Sequence, residues 1–331
     1  MGFFPSGHNG PHLALETPVR NSCHLMLALL IGDKLSPDKP YRKCAKAILN
    51  WLLSSNIFFD GRSFMNRQRG GQDWSNGVIG HAWIIESLKR ASDYLSNTEA
   101  GRLALDLYNH HKFNKDIGAW SRFDTYSNNF RVDYTLDHQA WFAASAIELG
   151  VKEHVEHFLD YCDGRAFRVT HEGRVRHLYY AKSIKSSILR TLYLYRTIRK
   201  PSCVDELEIG YHHYSLFPFC RIYSELRDHK FFKSDKFKLA LSYIDSVWLD
   251  KLKGNIYSYP YNSPAFELPL IKSSFPDEVN ITWKDLNDVY DYQVKMTCMP
   301  SKNFCNRNNP DNLTLTARIY ELGLFIEKFL K

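Results

Sequence analysis

Three segments of this 331-residue chain open alike at equal intervals: Arg20-Asn-Ser-Cys-His24-Leu-Met-Leu-Ala-Leu, Gly77-Val-Ile-Gly-His81-Ala-Trp-Ile-Ile-Glu and Tyr134-Thr-Leu-Asp-His138-Gln-Ala-Trp-Phe-Ala. His24, His81 and His138 stand 57 residues apart on both intervals. Each is followed by an apolar stretch about three helical turns long. About 17 residues further on, a second helical pattern begins, over Tyr41 to Leu53, Thr98 to His111 and Val151 to Cys162. The first helix of each pair is apolar nearly all round and is expected to face inward. The second has a polar face and is expected outside. A unit that buries its apolar helix only against its neighbours makes a solenoid or a closed ring.

The remainder continues the pattern less regularly. Tyr179 to Ile198 reads as an inner helix, Tyr211 to Leu226 with Ser234 to Trp248 as an inner and outer pair, and Leu286 to Thr297 with Leu313 to Leu330 as closing helices. Residues 251–285, rich in Pro and Tyr, break the rhythm and read as a long loop insertion or a short β excursion. Roughly six hairpins result, so the expectation is all-α: one (α/α)6 toroid spanning 1–331, with irregular loops or short β-hairpins at one mouth. An open solenoid is the alternative.

Composition excludes several classes. The net charge of +7 is mild and not gathered into a Lys/Arg arm, which argues against nucleic acid as partner. No apolar run is long enough for a membrane span, and Met1 to Gly10 lacks the pattern of a secretory signal. The seven cysteines are scattered without a CxxC pair, so neither a zinc site nor a disulfide framework is expected, and a cytoplasmic location is. The Asn280 and Asn312 glycosylation triplets read as chance matches. The aromatic share, 15%, can fill a helical core or provide platforms for sugar rings.

Chemistry is expected where the long connections Phe58 to Asn76, Gly118 to Val132 and Gly164 to Leu178 meet the N-terminal ends of inner helices. These loops carry Arg62, Arg67, Arg69, Arg122, Arg131, Arg165, Arg168, Arg174 and Arg176. Arginine forks and helix N-termini both favour anions, and Trp74, Trp120 and Tyr126 could stack on a glycan. Asp73, Asp133 and Asp137 could act as acids or bases, or simply cap helices. His81 and His138 lie beside polar loop residues, whereas His24 reads as a wall residue. In Tyr211-His212-His213-Tyr214 at most one histidine can face a cavity.

Asp73-Trp-Ser-Asn-Gly77-Val-Ile-Gly80-His-Ala-Trp83 resembles the opening of unsaturated glucuronyl and rhamnogalacturonyl hydrolases. Val132-Asp133-x-x-x-Asp137-x-x-x-Trp141-Phe142-x-Ala144-Ser145 is similar to their signature in which an Asp begins an inner helix. The same strings, with Glu16-Thr-Pro-Val-Arg-Asn, resemble uncharacterised toroid proteins of bacterial surface-polysaccharide gene clusters. More distantly, the N-acylglucosamine 2-epimerases share the architecture. The resemblance covers roughly residues 10 to 150 and implies a six-hairpin glycosidase-like toroid with Asp133 as general acid.

The resulting expectation is an enzyme acting on an acidic or amino-sugar oligosaccharide, in surface-polysaccharide metabolism. Asp133 would be the acid, assisted by Asp73 or Asp137 and His138, with His81 facing the same cavity. Arg20, Arg67 and Arg131 would hold anionic groups, and Trp74, Trp141 and His213 would line the sugar site. No metal or other cofactor is expected. The alternatives are an epimerase or lyase using His81 and His138, and a non-catalytic toroid that binds a glycan or a protein.

Overall fold

The computed structural model describes residues 2–54, 63–68, 73–124, 129–259, 261–297 and 311–328. The two halves of the first repeat are α1 (Val19–Leu35) and α2 (Tyr41–Ser54), and of the second α3 (Ile79–Leu95) and α4 (Thr98–His110). Strands β1 (Phe113–Asn114), β2 (Ala119–Asp124) and β3 (Asn129–Val132) form a small antiparallel sheet in the order β1-β2-β3. Then follow α5 (Leu136–Glu148), α6 (Lys152–Tyr161), α7 (Ile184–Arg199) and α8 (Pro201–Glu225). The chain goes on through α9 (Asp235–Ser242), α10 (Ser246–Leu252), α11 (Pro264–Ser274), α12 (Trp283–Thr297), α13 (Asn312–Ala317) and α14 (Tyr320–Glu327).

Helices α1, α3, α5, α8, α11 and the α13–α14 pair each pack on the next, and α14 packs back on α1. The inner layer is therefore a closed ring, an (α/α)6 toroid, and not the open solenoid. Helices α2, α4, α6, α7, α9–α10 and α12 make the outer layer. Amphipathicity explains the division. On α4 only Ala100, Ala104, Leu107 and Tyr108 are buried, one stripe at helical spacing. On α5 eleven of the thirteen residues are buried because neighbours surround it on all sides. Its Ala140, Ala143, Ala144 and Ala146 let α3 and α8 approach closely, and Ser145 Oγ donates to the Ala82 carbonyl of α3 at 2.8 Å.

Two expectations need correction. Tyr179 to Ile198 is not an inner helix: α7 starts at Ile184, packs on α8, and leaves most of its residues exposed. The inner helix of that unit is α8, which begins ten residues earlier than Tyr211. Residues 251–285 are not one long loop either, since they contain α11, a full member of the inner ring. Its Pro264 sits in the first turn, where a missing N–H costs nothing, so proline opens this helix instead of forbidding it. Among the described residues no helix is long and apolar enough to cross a membrane.

Candidate functional site

The loop before α3 folds on Asp73. Its carboxylate accepts from Ser75 N at 3.2 Å, from Ser75 Oγ at 2.7 Å and from Gly77 N, and it pairs with Arg122 of β2. Asn76 and Gly77 both take left-handed backbone, with φ 61° and 67°. At Gly77 a Cβ would overlap Asp133 Oδ2 and His138 Nδ1, so only glycine fits there. Val78 N, at the start of α3, donates to Asp133 Oδ2 at 3.0 Å. The Asp-Trp-Ser-Asn-Gly string is thus a turn that cradles the acidic residue of the next repeat.

Asp133 in turn accepts from Thr135 N at 3.2 Å and holds His138 Nδ1 at 2.8 Å. Gln139 locks the β2 strand to the start of α5: its Nε2 donates to the Trp120 and Asp133 carbonyls at 2.8 and 2.7 Å, and its Oε1 accepts from Trp120 N. Burial opposes ionisation of Asp133. The His138 imidazole, the Val78 amide and Arg122 outweigh it and hold the carboxyl well below the usual range. For His138 burial works downward, yet Asp133 and Asp137 raise the imidazole above its ordinary value despite Arg67.

His138 opens into a cleft of about 350 Å³ at the mouth of the ring. Arg67, Asp137, His12, His177, Asn76 and Tyr211 share it, with Tyr214, Tyr261, Ile79 and Trp83 also among the walls. Asp137 is 2% exposed, and its Oδ1 lies 3.5 Å from His177 Nδ1 without a hydrogen bond among the described residues. His177 reaches this place because the segment around it pairs with the start of α5, through Leu136 N to the His177 carbonyl at 2.9 Å. Arg67 is positioned by a bridge between its backbone and Glu16. Its Nε is buried with no hydrogen-bond partner, and no carboxylate pairs with it among the described residues. His12 stands at the rim with Nε2 2.8 Å from Tyr211 Oη. Desolvation, with Arg67, His177 and Arg20 nearby, lowers its imidazole to about 4.

Of the residues expected here, Asp137, His138 and Arg67 line the cleft, and Asp133 backs it. The others lie elsewhere. Asp73 is spent on its turn and on Arg122. His81 is fully buried behind the wall, within 2.8 Å of Ser63 Oγ and 2.5 Å of His111 Nε2. Arg20 is 1% exposed, bonded to Asn9 and Glu16 and laid over the Trp83 ring at 4.3 Å. Arg131 is on the exposed face of the β2–β3 hairpin, opposite Arg122. The Trp74 backbone carbonyl accepts from Asn66 and Arg67, and its side chain does not line the cleft. Trp141 is fully buried, stacked on Phe217 at 5.5 Å. His213 is buried in α8, with Nε2 3.7 Å from Glu267. Arg174 and Arg176 are taken up by Asp205 and Glu208. Arg62, Arg69 and Tyr126 lie outside the described residues. His24 is a wall residue as read, edge-on to Trp83 and beside Tyr320.

The sequence did not single out His12, His177 or Tyr261. His177 lies within the long third connection, Gly164 to Leu178, which was the one available signal. His12 carries none, because the N-terminal segment reaches the mouth only through tertiary contacts. Among the described residues no group of His, Cys, Asp and Glu is arranged to hold a metal ion.

Comparison with known proteins places the fold first. The chain shares its (α/α)6 toroid fold with the solved structures of three sugar-active proteins. It superposes on a cellobiose 2-epimerase from Bacillus thermoamylovorans with a TM-score of 0.62 at 11% identity, over 97% of this chain and 92% of that one. An unsaturated glucuronyl hydrolase specific for heparin gives 0.58 at 12% identity, over 100% and 92%. An α-mannanase from Bacteroides thetaiotaomicron gives 0.51 at 10% identity, over 94% and 87%. At the level of sequence, the chain is similar to archaeal glycosylation protein Q of Haloferax volcanii, 29% identical over 97% of this chain and 91% of that protein. No family model matches the chain.

Proposed function

We propose that this protein is a carbohydrate-processing enzyme whose substrate carries a carboxylate, a uronate-bearing saccharide, and whose chemistry is general acid–base catalysis at His138 and Asp137. The observation that carries this reading is the composition of the cleft. An arginine with no carboxylate partner among the described residues, a buried carboxyl group and a carboxylate-bound imidazole face one polar space. Arg67 offers a planar fork to a sugar carboxylate. His138, whose protonated form Asp133 favours, can deliver a proton to a leaving or ring oxygen. Asp137 supplies the second group, and tyrosines 211, 214 and 261 offer hydrogen bonds and ring faces to hydroxyls and sugar rings. Asp133 acts here by orienting and charging His138, a different role from the general acid that the sequence resemblance implied. The toroid neighbours act on saccharides, and the glycosylation relative fits a role in building or trimming a glycan.

One observation favours a second reaction class. His12, His138 and His177 all face the cleft, and while burial lowers His12, the Asp133 carboxylate raises His138. Groups set apart in this way suit proton removal on one face of a sugar carbon and return on the other, as an epimerase requires. The deciding experiment incubates the protein in deuterated water with uronate-bearing oligosaccharides. New reducing ends support hydrolysis, and deuterium at a sugar carbon without cleavage supports epimerisation. Either activity should fall at least about hundredfold in His138→Gln and in Asp137→Asn. Full activity in both variants on a turned-over substrate overturns the assignment.

A further inference from the structure

The outer helix α7 differs from its counterparts. On α4 and α6 the exposed face carries acids as well as bases, including Glu99, Asp106, Glu153 and Glu156. On α7 the face turned from the protein is mainly apolar: Ile184, Ile188, Leu192, Tyr195 and Ile198 are 84, 56, 54, 55 and 78% exposed, with Ser187, Thr191 and Arg199 among them. They recur every three or four residues, so they form one stripe. Ser186, Leu189, Tyr193 and Thr197, less exposed, define the opposite face. Cations flank the stripe. Lys182, Lys185, Arg190, Arg196, Arg199 and Lys200 are all exposed, and no Asp or Glu occurs between Glu172 and Asp205.

An apolar stripe bordered by Lys and Arg is the pattern of a helix that lies in the headgroup region of a bilayer. We infer that α7 docks this protein on an anionic membrane surface, its isoleucines and Leu192 inserted among acyl chains and its cations over lipid phosphates. Sixteen residues span about 24 Å, enough to lie along the surface. Charge decides between occupants. A second copy docked through the same face would bring two rows of cations together with no acid to offset them, whereas anionic headgroups match them. His177 of the cleft is seven residues before Ile184 in the chain, so the docked helix holds the site close to the surface.

The test uses the full chain and vesicles of phosphatidylcholine alone or mixed equally with phosphatidylglycerol. The wild type should sediment with the mixed vesicles, should not with phosphatidylcholine alone, and should be released by salt. The double variant Ile188→Ser, Leu192→Ser should lose about tenfold or more in partitioning, as should Lys185→Gln with Arg196→Gln and Arg199→Gln. All these positions are exposed, so melting temperature should not change. Absence of sedimentation with mixed vesicles, or equal binding by the variants, overturns the inference. So does a concentration-dependent dimer that the serine variant splits, which would assign the face to a second copy.

Discussion

Asp133 and His138 form a pair in which each partner sets the charge of the other. The carboxyl is held below its ordinary range and the imidazole above its own. A raised histidine stabilises the fold below its unfolded value and loses that contribution as pH rises through the folded one. A depressed carboxyl stabilises above its unfolded value and loses it as pH falls through the folded one. The pair therefore contributes most between about pH 4 and 6.5. Replacing Asp133 by Asn should lower the His138 titration point in an NMR experiment and move the basic limb of the pH–rate profile to lower pH. The difference in melting temperature between wild type and variant should be greatest in that window and shrink above it. An unmoved His138 titration would refute the pairing. At this scale the residues named from sequence lie close together: Asp137 and His138 line the cleft, and Asp133 stands behind them, bound to His138. Asp133 is part of a motif visible in the chain, but whether a carboxyl works as an acid or as a bound anion depends on Val78, Arg122 and His138 meeting it.

Helices α3, α5 and α8 are tied at the end of the ring opposite the cleft by buried charges. Arg221 of α8 bonds Glu86 of α3 at 3.0 Å and Glu148 of α5 at 2.8 Å, and Arg90 bonds Glu148 and Glu327. Burial raises Glu86 to about 7. Burial also opposes ionisation of Glu148, but Arg90 and Arg221 hold it at about 2. Removing one partner of such a network leaves a buried charge uncompensated, which costs about 3–5 kcal/mol. Arg221→Ala should therefore lose stability on that order in denaturant unfolding. The loss should grow as pH rises through the titration of Glu86, because the remaining carboxyl must then ionise or stay protonated at a cost. A loss below ~1 kcal/mol at neutral pH would show that Arg90 alone suffices. None of these partners could be matched from sequence: Glu86 and Arg221 lie far apart in the chain, and each looks like one more polar residue on an apolar helix.

The whole molecule is closed by its two ends. Asp311 accepts from His8 N at 3.2 Å and Gly10 N at 2.7 Å, and α14 packs between α11 and α1. Arg318 binds Glu321 and the Tyr261 carbonyl at 2.9 Å in the fully buried layer beneath the cleft. A ring has no free end from which to unfold. Thermal unfolding should be one transition by circular dichroism and by tryptophan fluorescence. A chain ending before Asn312 exposes the inner faces of α1 and α11 and should lose that cooperativity. Retention of a single sharp transition by the shortened chain would mean that the six-member ring is not the cooperative unit.

The repeat, the inner and outer character of the first six helices, and the mouth at which loops gather were all legible in the chain, because helical amphipathicity and a fixed period are local properties. The second half was less legible. α7 carries apolar residues on its outward face and so imitates an inner helix, and the prolines of α11 imitate a loop. Which polar residues meet in the cleft was decided by tertiary structure alone. His12, Arg67, the adjacent Asp137 and His138, and His177 come from four separate stretches of chain, and only closure of the ring brings those stretches within range of one another.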